Sequence, residues 1–544
     1  MITAFIMKIR GVVYNFGKQK LSTCPVKDDV TVFNRQVYYQ KLGSQQDFDS
    51  KPNDWDDALP FEKIPGPKPL PIIGNTFRFL PYIGDFYGVD LKELQRRFYK
   101  QYGRIAILKD LKVAKNIVLL YSPEDIEKLH RNEGVWPHRE VLNSFTYYRN
   151  ILRKDIFQGI GGVATVQGED WFNIRSKVNP ILMQPRMAHQ YIDKMDEVAE
   201  DLVKRMRQLA NRNKNREMPP DFIKELNKWA LEAAGLIALD RRLGCLDDLV
   251  PDSETQKLVD YVIEMFWLIY QFDVLPSLWK YISTPLWKRY ITVLDYITLT
   301  FVKYIDETAK NIGDKLQNKA EYEMSILERL LKLDPRIAKA TAIDTLTAGI
   351  DTTGKTTGAA LYFLARNPKV QTKLREELCR VLPTKETPVT KEILAETPYL
   401  KAVIKETTRF CPIAIVNIRK TLKDLVLGGY QIPKGTIVHT ANGVLSLEEE
   451  HFVKSKEFIP ERWIRNGEKE ISCKNTHPFV FLPFGYGPRA CLGKRLANME
   501  MEIVLARIIR NLFLEWPHAD MKFTTTLVHG VGDPLKLRVT EVDK

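Results

Sequence analysis

Apolar positions recur at intervals near 3.6 over residues 186–212, 254–272, 284–314 and 335–366, and each run is long enough to predict a helix. Strand-like signals are confined to short pieces at 105–108, 117–120 and 425–433, the last with Gly428-Gly429 at its centre, which predicts a tight hairpin. Between residues 64 and 75, Pro65, Pro67, Pro69 and Pro71 occupy every second position, so that stretch is neither helix nor inner strand and reads as a stiff lead-in. Leu496, Met499, Ile503, Val504, Ile508 and Leu512 trace one face of a further helix. There is no 20–50-residue repeat and no Gly/Ser linker tract. The pattern predicts one large body, mainly α with small β-sheets.

Composition narrows the class. A chain of 544 residues with 44% hydrophobic and 27% charged residues buries a large core and is neither disordered nor fibrous. Six scattered cysteines, without a close pair, form neither a disulfide framework nor a CxxC zinc site. The formal net charge of +13 suits an acidic protein partner or anionic lipid. No nucleic-acid partner is expected, because no zinc-finger, RNP or basic-zipper pattern accompanies the charge.

Part of the basic excess is local. Residues 1–27 carry Lys8, Arg10, Lys18, Lys20 and Lys27 with no acid, and their opening, mostly apolar run (2–7) is far shorter than the ~20 residues a bilayer span needs. With Ser22 and Thr23, this segment predicts a mitochondrial presequence over 1–30, followed by a lead-in at 31–63 and a catalytic body at 64–544. No other window supplies ~18 uncharged apolar residues, so membrane contact is expected to be peripheral.

The candidate chemistry sits in Phe484-Gly485-Tyr486-Gly487-Pro488-Arg489-Ala490-Cys491-Leu492-Gly493. Its glycines and proline force an irregular loop, and the helix that follows sets Cys491 near a helix start, where dipole and unpaired N–H groups favour a thiolate. A thiolate so placed serves as nucleophile or metal ligand. The glycines let a flat ligand approach the backbone, and Arg489 stands ready for an acidic group on it.

Phe484, Gly487, Arg489, Cys491 and Gly493 together resemble the haem-binding signature of the cytochrome P-450 family, F-x-x-G-x-R-x-C-x-G. The resemblance runs from about residue 55 onward and implies a single-domain cytochrome P-450 fold with a long central distal helix and a proximal haem-thiolate loop. It implies haem b as cofactor, Cys491 as axial ligand, and Phe484, Arg489 and Gly493 as parts of the binding loop. Glu406 and Arg409, at i and i+3, with Arg462 of Pro460-Glu461-Arg462-Trp463, resemble the family's buried Glu–Arg–Arg network. Ala348-Gly349-Ile350-Asp351-Thr352-Thr353 resembles its oxygen-activation segment, with Asp351 and Thr352 delivering protons. A glycine and β-branched threonines are poor mid-helix choices, so a local distortion is expected there. Trp171 and Arg175, one helical turn apart, resemble a propionate-contacting pair, and Arg175, Arg419 and Arg489 make a cationic set for that buried di-acid.

The basic N-terminus stands where a microsomal relative carries an anchor helix, which favours the mitochondrial class. Lys401 and Lys405 (i, i+4) and Lys494-Arg495 match the residues with which that class docks an adrenodoxin-type [2Fe-2S] ferredoxin, served by an NADPH reductase on the matrix side of the inner membrane. Stretches 64–75, 88–111, 149–168 and 239–246 look most like insect mitochondrial P-450s linked to xenobiotic metabolism. The expected activity is insertion of one oxygen atom from O2 into a lipophilic small molecule. Its pocket would be formed by 145–165, 346–349 and 413–417. Three alternatives remain open: a steroid or ecdysteroid hydroxylase with the same machinery, a P-450-fold isomerase or dehydratase acting on peroxides, which usually lacks the Asp–Thr pair, and a haem sensor or carrier without turnover.

Overall fold

The computed structural model describes residues 51–111, 115–247, 253–313, 319–465, 467–532 and 534–542. The expected presequence lies outside them.

The helices that position the site are α1 (Leu91–Tyr102), α2 (Gly168–Leu182), α3 (Ile192–Asn211), α4 (Phe222–Leu239), α5 (Glu254–Ile269), α6 (Pro285–Ile312), α7 (Pro335–Arg366), α8 (Pro398–Phe410) and α9 (Lys494–Asn511). Helix α7 organises the rest. Pro335 sits at its first turn and the Asp334 carboxylate accepts from the Arg336 N–H, a paired start signal. Its 32 residues run about 48 Å through the core. Most of its interior positions are buried. Gly349, Gly354 and Gly358 face α4, where a Cβ would lie 3.3 Å from Ala234 Cβ, 1.9 Å from Asn227 Oδ1 and 3.1 Å from Ile223 Cδ1. Close approach of two helix backbones, rather than a kink, explains the glycines. The expected distortion at 348–353 is absent: α7 is unbroken α-helix there, and Thr345, Thr352 and Thr356 donate back to the carbonyls of Thr341, Ala348 and Thr352.

Other expectations were displaced by a residue or two. The predicted 186–212 helix splits at Gln190-Tyr191 into Pro185–His189 and α3. The 254–272 run ends as α-helix at Ile269 and continues as a π-helical turn, Tyr270–Val274.

The β structure is small. Strands β1 (Ile105–Leu111), β2 (Lys115–Leu120), β3 (Asn417–Lys420) and β6 (Ile437–Thr440) form a sheet in the order β1-β2-β6-β3, with β2 and β6 parallel and the other pairs antiparallel. Between β3 and β6 lies the expected hairpin, β4 (Leu425–Leu427) with β5 (Tyr430–Ile432). Gly428 (φ 59°) and Gly429 (φ 79°) form its two-residue turn, and positive φ at both positions is what such a turn requires. The lead-in packs on this hairpin: Leu59 N–H donates to Gly429 O at 2.9 Å and Gln431 Nε2 to Trp55 O at 2.8 Å. The proline stretch then follows β1, with Ile107 N–H bonded to Pro65 O at 2.9 Å. Among the described residues no helix is long and apolar enough to cross a membrane.

Candidate active site

The loop before α9 is built by its glycines. Gly485 and Gly487 both adopt φ 70°, a conformation with a steric penalty for other residues, and they bring Cys491 N–H back onto Phe484 O at 2.8 Å. Pro488 fills a 3₁₀ turn, Gly487–Arg489, and α9 starts three residues beyond the cysteine. Cys491 is exposed although much of the fold lies around it. Here the structure amends the sequence reading. Burial pushes the Cys491 thiol up, while the Gly493 N–H and the charges of Arg175, Arg139 and Lys494 pull the other way. Helix-end stabilisation opposes that burial, and a metal ion held at the sulfur would favour the thiolate further. The Gly493 amide reaches the Cys491 sulfur, and a Cβ on Gly493 would meet nothing within 4 Å. Phe484 is half-buried against the core, with Lys494 Nζ 5.7 Å from its ring centre.

Four guanidiniums converge beside this loop. Arg489 lies over the Trp171 ring at 4.0 Å. Its Nε donates to Pro137 O at 2.9 Å and its Nη2 to Val166 O at 3.1 Å and Gln167 Oε1 at 2.7 Å. Arg175 Nη2 donates to Ala490 O at 2.7 Å, fastening α2 to the cysteine loop. Arg419 differs from the expectation: Nε is taken by the Glu133 carboxylate at 2.6 Å, and Nη1 and Nη2 by Ile418 O and Tyr486 O. It shares Glu133 with His130, and Nη1 and Nη2 each keep a second N–H. The fourth member, Arg139, was not singled out in the sequence. It is charge-coupled to Arg175, Arg419 and the Cys491 sulfur.

Such crowding is electrostatically unfavourable in the protein alone. Burial, then the neighbouring Arg139, Arg419 and Arg175, push Arg489 down to about 8, and burial with Arg419 and Arg175 pushes Arg139 to about 10. Trp136 Nε1, Arg139 Nε, Trp171 Nε1 and Arg175 Nε are buried N–H donors without a partner. A cationic cluster with unspent donors fits a ligand carrying more than one carboxylate. Among the described residues no three His, Cys, Asp or Glu gather to hold a metal ion. A lone sulfur suits a metal that brings its own equatorial donors, so the residues fit haem.

The Glu–Arg–Arg network is assembled. Arg409 Nε and Nη2 each lie 2.9 Å from the Glu406 carboxylate, and Arg462 Nε lies 3.0 Å from Oε1. All three side chains are fully buried. Trp463 Nε1 and Ile459 N–H complete the shell around Glu406 at 2.8 and 2.9 Å. The arginines' remaining donors hold the carbonyls of Ser446, Ser455, Val453 and Lys454.

On the other side, Asp344, Thr345, Ala348, Gly349 and Thr352 make a stripe of accessible positions along the otherwise buried middle of α7. Residues 344, 348 and 352 share one face. Ile413, Ala414 and Val416 are accessible too. The structure does not bring the two expected proton carriers together. Thr352 Oγ1 donates to Ala348 O at 2.6 Å, whereas the buried Asp351 carboxylate turns toward Lys355 Nζ (2.8 Å) and Asn227 Nδ2 (3.5 Å). Successive helical residues point about 100° apart, which separates them.

Lys405, Lys494 and Arg495 are exposed and Lys401 is half-buried. Lys401 and Arg495 line one hollow, Lys401, Lys405 and Lys494 the next, and Glu502 lines both. Burial pushes Glu502 up to about 7 against the pull of Lys401 and Lys405.

Residues 64–535 match the family model for cytochrome P450, and the chain belongs to that family: it is a monooxygenase that uses haem bound through a cysteine thiolate. Similar proteins come from insects. The chain is 37% identical to "Cytochrome P450 CYP12A2" of Musca domestica, over 93% of this chain and 95% of that one. It is 38% identical to "Probable cytochrome P450 12a5, mitochondrial" of Drosophila melanogaster, over 90% and 92% of the two chains. To "Probable cytochrome P450 301a1, mitochondrial" of the same fly it is 36% identical, over 90% and 89%.

Proposed function

We propose that Cys491 is the axial ligand, that Trp171, Arg175 and Arg139 take the propionates while Arg489 and Arg419 supply positive field, and that the substrate is a lipophilic small molecule, with toxins favoured over steroids. Electrons come from an adrenodoxin-type ferredoxin, and the protein works on the matrix side of the inner mitochondrial membrane. The observation that carries the reading is the Cys491 sulfur, deep in the fold yet open, beside a cluster of guanidiniums with unspent donors. When bound, haem supplies oxygen activation, and electron donation from sulfur favours O–O cleavage. This chain's residues set the rest. Thr352 Oγ1 delivers protons on the accessible stripe, and Asp351, paired with Lys355 and out of contact with Thr352, acts as the more distant acid. The apolar Ile413, Ala414 and Val416 suit a lipophilic guest. Exposed Ile72, Tyr82, Ile83, Leu278, Tyr281 and Ile282 support peripheral membrane contact.

The test is incubation with a ferredoxin, its reductase and NADPH against a panel of steroids and lipophilic toxins, read by mass spectrometry for products gaining one oxygen. Products from steroids alone would favour the hydroxylase reading, and the absence of substrate-dependent NADPH consumption would favour a carrier.

The basic face gives a separate expectation. Replacing Lys401 and Lys405 together by Glu should raise the ferredoxin KM at least tenfold and flatten its salt dependence. Glu502 is neutral below its shifted value near 7 and anionic above it, so it cancels part of the lysine charge as pH rises from 6 to 8. Ferredoxin KM should therefore climb across that interval in the parent enzyme and stay level in Glu502→Gln. An unchanged KM in the double lysine variant would remove the docking assignment.

A further inference from the structure

Residues 143–166 lie against the distal side as a short helix (Asn143–Tyr147), a π-helical turn (Tyr148–Leu152), a last helical turn (Lys154–Phe157) and a glycine-bearing loop. Three carboxylates from three other elements fasten this segment. Asp273 accepts from Ser144 N–H at 2.9 Å and from Ser144 Oγ at 2.6 Å. Asp295 on α6 receives Tyr148 Oη at 2.8 Å and a bidentate grip from Arg153, at 2.8 Å from Nε and 2.6 Å from Nη2. The third fastening reaches α7, where Arg149 Nη1 lies 2.6 Å from Asp344 Oδ1 and donates to Gly161 O at 2.8 Å.

The three are not equal. Asp273 and Asp295 use both carboxylate oxygens. The Arg149–Asp344 link uses one, and it leaves Arg149 Nε, Arg149 Nη2 and Asp344 Oδ2 buried without partners. The guanidinium lies instead near the rings of Phe145 (4.3 Å) and Phe157 (4.8 Å), both on its own segment. Water would return the missing hydrogen bonds on opening, so this link gains little by staying shut. Asp344 also begins the accessible stripe that ends at Thr352, about 12 Å along the same face.

We propose that Arg149 is a positioning residue whose ion pair with Asp344 and bond to Gly161 O latch residues 154–166 beside the accessible stripe of α7, and that release of this pair, with the Asp273 and Asp295 fastenings of Ser144, Tyr148 and Arg153 kept as the hinge, admits the substrate. Gly162 packs into the latch: a Cβ there would sit 2.4 Å from Arg149 Nη1 and 2.6 Å from Asp344 Oδ2, and its φ of 85° also disfavours a side chain. Gly162→Ala should therefore wedge the pair apart with both charges retained.

The full-length haem-loaded protein is compared with Arg149→Gln, Arg149→Lys, Asp344→Asn and Gly162→Ala by hydrogen–deuterium exchange and by stopped-flow binding of 4-phenylimidazole. The azole arm rests on the haem reading above; the exchange arm does not. Amides of 154–166 should exchange at least tenfold faster in the Gln, Asn and Ala variants, with Arg149→Lys intermediate and residues 398–410 unchanged. Azole association and dissociation should both accelerate at least fivefold with Kd moving less than threefold, a kinetic signature that mere loosening of the fold does not give. Unchanged exchange, or faster exchange with unaltered azole rates, overturns the latch. So does loss of folded protein in all of the variants, which would make the pair a folding element. If the parent protein gives no azole spectral shift, the haem reading fails and exchange alone decides the latch.

Discussion

Arg409→Ala is expected to yield little or no haem-loaded protein. The substitution leaves Glu406 fully buried with one guanidinium instead of two and strips the carbonyls of Ser446 and Ser455 of their donors. Removing one partner of a buried ion pair costs about 3–5 kcal/mol, a large fraction of the about 5–15 kcal/mol by which a domain is ordinarily stable. The damage falls on the segment leading to the cysteine loop, because Arg409 and Arg462 together hold residues 446–457 in place. Haem content per folded protein, measured by absorbance against protein concentration, and the thermal midpoint should fall together. A soluble Arg409→Ala protein with full haem content would refute the structural role.

Thr352→Ala has the opposite profile: a stable protein whose chemistry misfires. The Thr352 hydroxyl is bonded to Ala348 O within its own helix, and alanine is the better helix former by some tenths of a kcal/mol. Folding and haem content should therefore be unaffected. On the proposed role, loss of the hydroxyl removes the last donor in proton delivery. NADPH consumption should continue while product falls at least tenfold, the difference appearing as hydrogen peroxide. Coupling equal to that of the parent enzyme would show that another group, or water alone, moves the proton.

What the sequence made legible has a common physical character: it was local. Glu406 and Arg409 are neighbours on any helix, the Gly428-Gly429 turn is dictated by backbone sterics, and the cysteine loop is written in consecutive residues. Contacts between residues far apart in the chain leave no such trace. Nothing near Arg419 in sequence announces Glu133, 286 residues earlier, as its partner. Arg139 and the fastenings of residues 143–166 went unread for the same reason. Helix α4 was missed for another: nearly every one of its positions is buried, so it lacks the two-faced pattern that identifies a surface helix. Gly349 looked like part of a distortion because a close helix crossing and a kink ask for the same residue.

Sulfur coordination at position 491 is tested most directly by the absorption spectrum of the reduced protein under carbon monoxide. The parent protein should show the red-shifted Soret band of thiolate-ligated haem, and Cys491→His should bind haem while losing that band for the one given by a nitrogen ligand. A parent protein that binds haem without the thiolate band, or a histidine variant that retains it, would contradict the assignment.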